Sequence, residues 1–190
     1  MQERQEVPVG KYRVIGGLLN GKSQAVALDP KGRPSFKSVG PTVDEAIEKV
    51  VASIEESETE IMEKRRTDCG FAVALPEEFR DALEVIKLTD IEKLLLNAHA
   101  NAPNATMTSG ELGKAAGYAS YRTANLRYGA LGKKMGAKLG LPVPEAADRP
   151  DTFLYTGYLA WGDLSQNFDD GWKWTMHPEL VKALHELNMA

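Results

Sequence analysis

The chain has 190 residues, 43% of them hydrophobic and 26% charged, with a formal net charge of −4. This composition fits a globular protein of one domain or two small ones, long enough to bury a real core. No apolar run approaches the roughly 20 residues that span a bilayer. The N-terminal MQERQEVPVGKYR lacks the apolar stretch of a secretory signal, and the single cysteine excludes an internal disulfide and suits a reducing cytoplasm. One Cys and three scattered His residues cannot build a zinc finger, so neither a metal nor another cofactor is expected.

Taken in order, residues 12–19 and 23–28 read as strands joined at Asn20-Gly21, a strong hairpin signal. A turn at 29–32 leads to a third short strand over 35–39. Thr42 then caps a helix, with Glu45 three residues later and Ile47, Val50, Val51 and Ile54 on its apolar stripe. The charged segment 55–68 continues this helix as a solvated connector. Residues 1–66 thus form a small α+β unit suited to an accessory or dimerising role. Gly40, Thr42, Glu45, Ala46 and Ile47 resemble the helix start of small antitoxin-like domains, a short match that implies no function.

The second expected domain spans 76–190. Pro76 opens a helix carrying Phe79, Leu83 and Ile86, and Thr89 caps another that ends before Pro103. Thr108 or Ser109 caps a short helix, Gly117 turns the chain, and Ser120 caps a longer helix running from Tyr121 towards Gly140. Residues 153–161 and 172–176 read as strands either side of a polar turn at 162–171. A last helix starts at Pro178, with Leu180, Ala183, Leu184 and Leu187 on its buried face. Helices followed by a two-stranded hairpin are the order of a winged helix-turn-helix, so the fold class is α+β with a winged-helix-like C-terminal domain.

The charge is segregated. Between Thr106 and Gly140 there are six basic residues and one acid, Glu111, while the acids collect between Asp44 and Glu84. Local fields decide phosphate contact, so the net negative charge does not exclude double-stranded DNA as a partner. On the helix from Tyr121, at about 100° per residue, Ala124, Tyr128, Leu131, Met135 and Leu139 form the core stripe. Arg127, Lys134 and Lys138 share one flank of that stripe. Gly129, Gly132, Gly136 and Gly140 share the other with Asn125. Each helical glycine costs roughly 1 kcal/mol relative to alanine, so another backbone must come close, and a neighbouring helix is favoured over a nucleic-acid strand. Ser120, Tyr121, Arg122 and Asn125 take the positions that reach base edges, and Lys114, Arg127, Lys133, Lys134 and Lys138 are the expected phosphate contacts.

The pattern T-x-x-E-L-x-x-A-x-G-Y (108–118), with Ala124-Asn125-Leu126, Tyr128-Gly129-x-Leu131-Gly132 and the later Trp172-x-Trp174-x-Met176-x-Pro178-Glu179, resembles a domain of bacterial HNH-type restriction endonucleases. The resemblance covers about half the chain, residues 88–187. It implies a DNA-associated module of bacterial or phage origin linked to restriction or defence. The nuclease itself is not implied, because His99, His177 and His185 do not form an HNH metal site, and no enzyme activity is expected. GGLLNGKS (16–23) matches the phosphate-loop pattern literally, but residues 24–30 read as a strand and a turn, where that loop needs a helix. Lone Cys69, the turn aspartates Asp169 and Asp170, and His177 before a proline form no catalytic set. Trp161, Trp172 and Trp174 fit hairpin anchors better than base-stacking platforms. The main rival reading is a protein-interaction module using the same fold without nucleic acid, and a homodimer or protein partner is expected at the N-terminal unit.

Overall fold

The computed structural model describes residues 4–68, 70–146, 149–162 and 172–190. Cys69, Asp169, Asp170 and most of the expected turn at 162–171 lie outside them. The protein is α+β, and its chain divides into two compact units, Met1–Lys64 and Arg65–Ala190. Among the described residues no helix is long and apolar enough to cross a membrane.

The first unit is a four-stranded antiparallel meander, β1 (Gln5–Val9), β2 (Tyr12–Leu19), β3 (Lys22–Leu28) and β4 (Pro34–Gly40), followed by α1 (Val43–Lys64). Asn20 and Gly21 both take positive φ, 53° and 73°, as the tight turn between right-twisted strands requires. GGLLNGKS therefore forms two paired strand ends and their turn, with no helix after it. The Glu45 amide donates to Thr42 Oγ1 at 3.2 Å, and Ala46, Ile47, Val50 and Ile54 bury against Val14, Ala25 and Ala27 of the sheet. Gly16 sits under Ile47, where a Cβ would come within 2.6 Å of that side chain. Strand β1 has no counterpart among the strands expected from sequence. Pro8 has no amide hydrogen to donate, which an edge strand tolerates.

In the second unit, β5 (Thr67–Asp68) and β6 (Phe71–Ala72) form a small hairpin before α2 (Pro76–Val85) and α3 (Asp90–Ala100). Helix α1 does extend through the charged segment to Lys64, but Arg65 is no solvated connector residue. Its guanidinium makes a two-pronged bond to Glu78 at 2.6 and 2.9 Å, with both side chains more than 90% buried. Thr89 caps α3, its hydroxyl accepting from the Glu92 amide while the Glu92 carboxylate accepts from the Thr89 amide. Strand β7 (Thr106–Thr108), α4 (Ser109–Ala115) and α5 (Tyr121–Leu139) follow, then the short pair β8 (Glu145–Ala146) and β9 (Arg149–Phe153). Strands β10 (Ala160–Gly162) and β11 (Lys173–Met176) precede α6 (Pro178–Glu186). β11 pairs antiparallel with both β10 and β7, so the strand before α4 is stitched to the hairpin after α5. One core fills this unit, built on Phe79, Leu95, Leu96, Leu112, Tyr128, Leu131, Met135, Leu159 and the buried face of α6.

Residues 153–161 do not form the single strand their alternation suggests. Tyr155–Tyr158 coil into a 3-10 turn, and only Ala160–Gly162 enter the sheet. That turn rests directly on α5. A Cβ on Gly132 would run into the Tyr155 carbonyl, and one on Gly136 into the Tyr158 ring. The expected close backbone approach to the glycine stripe is real, but the partner is this turn and not an α-helix. The turn is anchored at three further points. Tyr158 donates its hydroxyl to the Leu141 carbonyl at 2.9 Å, His177 Nε2 donates to the Gly157 carbonyl at 2.9 Å, and the His177 amide donates to Leu159 at 3.0 Å. Gly140 plays a separate part, ending α5 with φ 67° in the left-handed region.

These contacts separate the glycines by consequence. Gly132→Ala should cost about 1–3 kcal/mol, because the obstructing atom is backbone. Gly129→Ala should be neutral or stabilise by up to about 1 kcal/mol, since its Cβ would meet only Thr156 Cγ2 at 4.0 Å. Urea unfolding of the two variants measures the contrast; equal midpoints would contradict it.

Candidate nucleic-acid interface

Thr108 and Glu111 cap α4 reciprocally: the Glu111 amide donates to Thr108 Oγ1 at 3.1 Å, and the Thr108 amide donates back to the Glu111 carboxylate at 2.7 Å. The bonds from Thr108 hold the Glu111 carboxyl below its usual range, so the one acid between Thr106 and Gly140 is ionised and directed at the start of α4. Gly117 turns the chain with φ 73°, and Ser120 opens α5. The core stripe of α5 is buried as its spacing requires, with Ala124, Leu131 and Met135 at 0% exposure, Tyr128 at 1% and Leu139 at 5%.

The opposite side of α5 is open to solvent and carries its cations on two edges. Arg122 and Lys133 lie on one, and Arg127, Lys134 and Lys138 on the other; all five are exposed. Lys114 is exposed on α4. Between the two edges stand the exposed side chains of Leu126, Ala130 and Ala137, with half-buried Thr123.

The nine expected site residues do not all share this surface. Ser120 Oγ accepts from the Arg122 amide at 3.2 Å, so its hydroxyl is occupied by the cap. Tyr121 is 40% exposed and lies beside the Arg122 guanidinium, 5.9 Å from carbon to ring centre, above the core stripe and not on the outward face. Asn125 is half-buried on the glycine flank, turned away from the open side. Of the four residues expected to reach base edges, Arg122 alone faces outward from the open side of the helix. Lys133 sits 5.4 Å from the Tyr155 ring centre, which leaves its charge available at the surface.

Lys134 is held differently. Its ammonium donates to Glu92 Oε1 at 2.6 Å. Burial pushes the Glu92 carboxyl up, but the bonds from Lys134 and Thr89 outweigh this and keep it below its usual range. This pair ties α5 to α3 and offsets one of the cations. Leu126 also belongs to this surface, although in the sequence it stands only within the Ala124-Asn125-Leu126 part of the resemblance and not as a site residue. Leu126 is 74% exposed, and Lys173 of β11 adds a positive charge near α4. A lone leucine on a polar helix face carries no sequence signal beyond its position, and Lys173 reaches this region only through the pairing of β11 with β7.

Behind α5 lies a buried polar link. His99 Nε2 is 3.0 Å from the Trp174 carbonyl, which can only accept, so Nε2 carries the proton and Nδ1 accepts from the Tyr128 hydroxyl at 2.7 Å. His99 is fully buried, and α3, α5 and β11 are joined through it. Two of the tryptophans are packed, Trp161 on Phe71 at 5.4 Å and Trp174 against the core, while Trp172 is 38% exposed. Among the described residues no cluster of His, Cys, Asp and Glu could hold a metal ion.

No protein-family model, curated protein or solved structure matches this chain.

Burial holds the His99 pKa at about 4, against 6.5 for a free imidazole. The unfolded chain therefore takes up this proton first. The stabilising contribution is whole above pH 6.5 and is lost as pH falls towards 4, at up to about 1.4 kcal/mol per pH unit. An NMR titration should find the His99 ring neutral down to near pH 4, with thermal stability falling over the same interval. An imidazole titrating near 6.5 would contradict the assignment.

Proposed function

We propose that this protein binds double-stranded DNA through the open side of α5. The observation that carries the reading is the charge on that face: five cations in two rows and no acid on the helix. Supporting it is the connectivity α3, β7, α4, α5, β10, β11, with β7 joined to the far strand of the hairpin. We read this as a winged helix-turn-helix in which α5 takes the place of the recognition helix, with an inserted segment covering its glycine side. The resemblance of residues 88–187 to a domain of HNH-type restriction endonucleases points the same way, towards a bacterial or phage protein linked to restriction or defence. The role is binding and not catalysis. Arg127, Lys133 and Lys138, with Lys114 of α4, supply the phosphate contacts, Arg122 is the residue left to reach a base edge, and Lys134 contributes less because Glu92 already holds it.

The rival reading is a protein-interaction module that uses the same fold without nucleic acid; separately, the first unit offers a face for a homodimer or protein partner. The sheet face turned away from α1 is open and mixed: Ile15, Leu19, Val26 and Leu28 line a concavity there together with Arg4, Gln24 and Lys37, and Leu19 and Val39 are 59% and 60% exposed. Such a face suits self-association or a protein partner and is compatible with DNA binding by the second unit.

Fluorescence anisotropy with a duplex at several salt concentrations tests the DNA reading. With about four phosphate contacts, affinity should fall on the order of a hundred-fold between about 50 and 200 mM salt. Arg127→Gln with Lys138→Gln should lower the slope of log affinity against log salt by about 2. An unchanged slope removes α5 from the interface. Lys134→Glu is a poor probe, because it would set two carboxylates together at Glu92.

A further inference from the structure

The two rows of cations on α5 enclose a strip of methyl-bearing side chains. Leu126 is the most exposed large hydrophobic side chain among the described residues, at 74%, and Thr123 and Ala130 flank it on the same open side. A leucine in that position is no part of the core cluster. No Asn, Gln, Asp or Glu shares the strip, so the middle of the face has no side-chain amide or carboxylate with which to read adenine or cytosine. Arg122 stands one turn before Leu126 at the edge of the strip; its guanidinium lies beside Tyr121 and hydrogen-bonds to it, so it exchanges that partner to reach a base.

In the major groove the one apolar group on a base edge is the C5 methyl of a pyrimidine, that of thymine in ordinary DNA. Given the proposed docking of α5, on which this inference rests, we infer that Leu126, with Thr123 and Ala130, is a specificity surface that recognises a pyrimidine C5 methyl group, while Arg122 pairs with a guanine. Four helical residues rise about 6 Å, so the guanine and the methylated pyrimidine lie about two base steps apart where the helix follows the groove. Charge complementarity sets the orientation: the cation rows grip the phosphates on either side and press the apolar strip towards the groove floor. Asn125, on the glycine flank of the helix, takes no part in reading.

The full-length protein selects its preferred duplex from a random pool, and each thymine of that duplex is then replaced singly by deoxyuridine. At one or two positions the loss of the methyl should weaken binding on the order of four-fold, the worth of one buried methyl group. Leu126→Ala, a change at an exposed helical site that leaves the fold intact, should bind the thymine and uracil duplexes equally while keeping the wild-type salt dependence. Placing 5-methylcytosine at each cytosine distinguishes the second source of the same group. Tighter binding there extends the recognition to that base, and no change assigns it to thymine. If no thymine replacement alters affinity, or if Leu126→Ala keeps the uracil penalty, the inference is overturned while DNA binding stands. If neither duplex is bound at all, the DNA reading falls and the inference with it.

Discussion

The contact of the Tyr155–Tyr158 turn with the glycine side of α5 is the constraint on which the second unit depends. A helix that carries Gly129, Gly132 and Gly136 is intrinsically weak, by roughly 1 kcal/mol at each glycine. The turn lies so close to the α5 backbone that Gly132 and Gly136 have no room for a methyl group, and tertiary contact offsets what helix propensity withholds. Tyr158 and His177 then tie the turn to the end of α5 and to the start of α6. With one flank closed in this way and the core stripe buried, only one side of α5 remains exposed, and it is the side that carries the cations.

That geometry gives an acidic chain a positive face without a basic composition. Glu111 is turned to the start of α4 by its cap, and Glu92 is turned to Lys134 by an ion pair, so neither carboxylate lies on the outward strip. The pair with Glu92 also shows why counting cations overstates the surface. An exposed lysine with a carboxylate 2.6 Å away presents a smaller net field than its neighbours Arg127 and Lys138. The buried His99 link between α3, α5 and β11 holds the back of the same helix, so the open face is supported by apolar packing, a polar bridge and a backbone contact together.

Local chemistry made much of this architecture legible. Asn20-Gly21 marked its hairpin because φ is positive at both residues, and Thr42, Thr89, Thr108 and Ser120 marked helix starts because their hydroxyls accept the first free amides. The buried stripe of α5 followed from periodicity alone. The features that escaped depended on partners distant in sequence. β1 was not among the expected strands, since Pro8 and Glu6 hide an edge strand whose pairing comes from β2. Arg65 looked solvated until Glu78, thirteen residues on, buried it. Residues 153–161 alternate like a strand, yet the close fit onto α5 coils their centre. On the candidate interface, charge predicted which residues are exposed but not which direction they face. Asn125 and Tyr121 sit within a turn of Arg122 and still point away from the open side, and Leu126 stands where neither charge nor periodicity would draw attention.

Residue-resolved amide chemical shifts of the full-length protein, recorded as a duplex DNA is titrated in, report whether α5 docks. Progressive changes are expected along the outward side of α5, from Arg122 through Leu126 and Ala130 to Lys138, and at Lys114, with the α1 helix unaffected. Changes confined to the open sheet face of the first unit or to α6, with α5 silent, would contradict docking through α5.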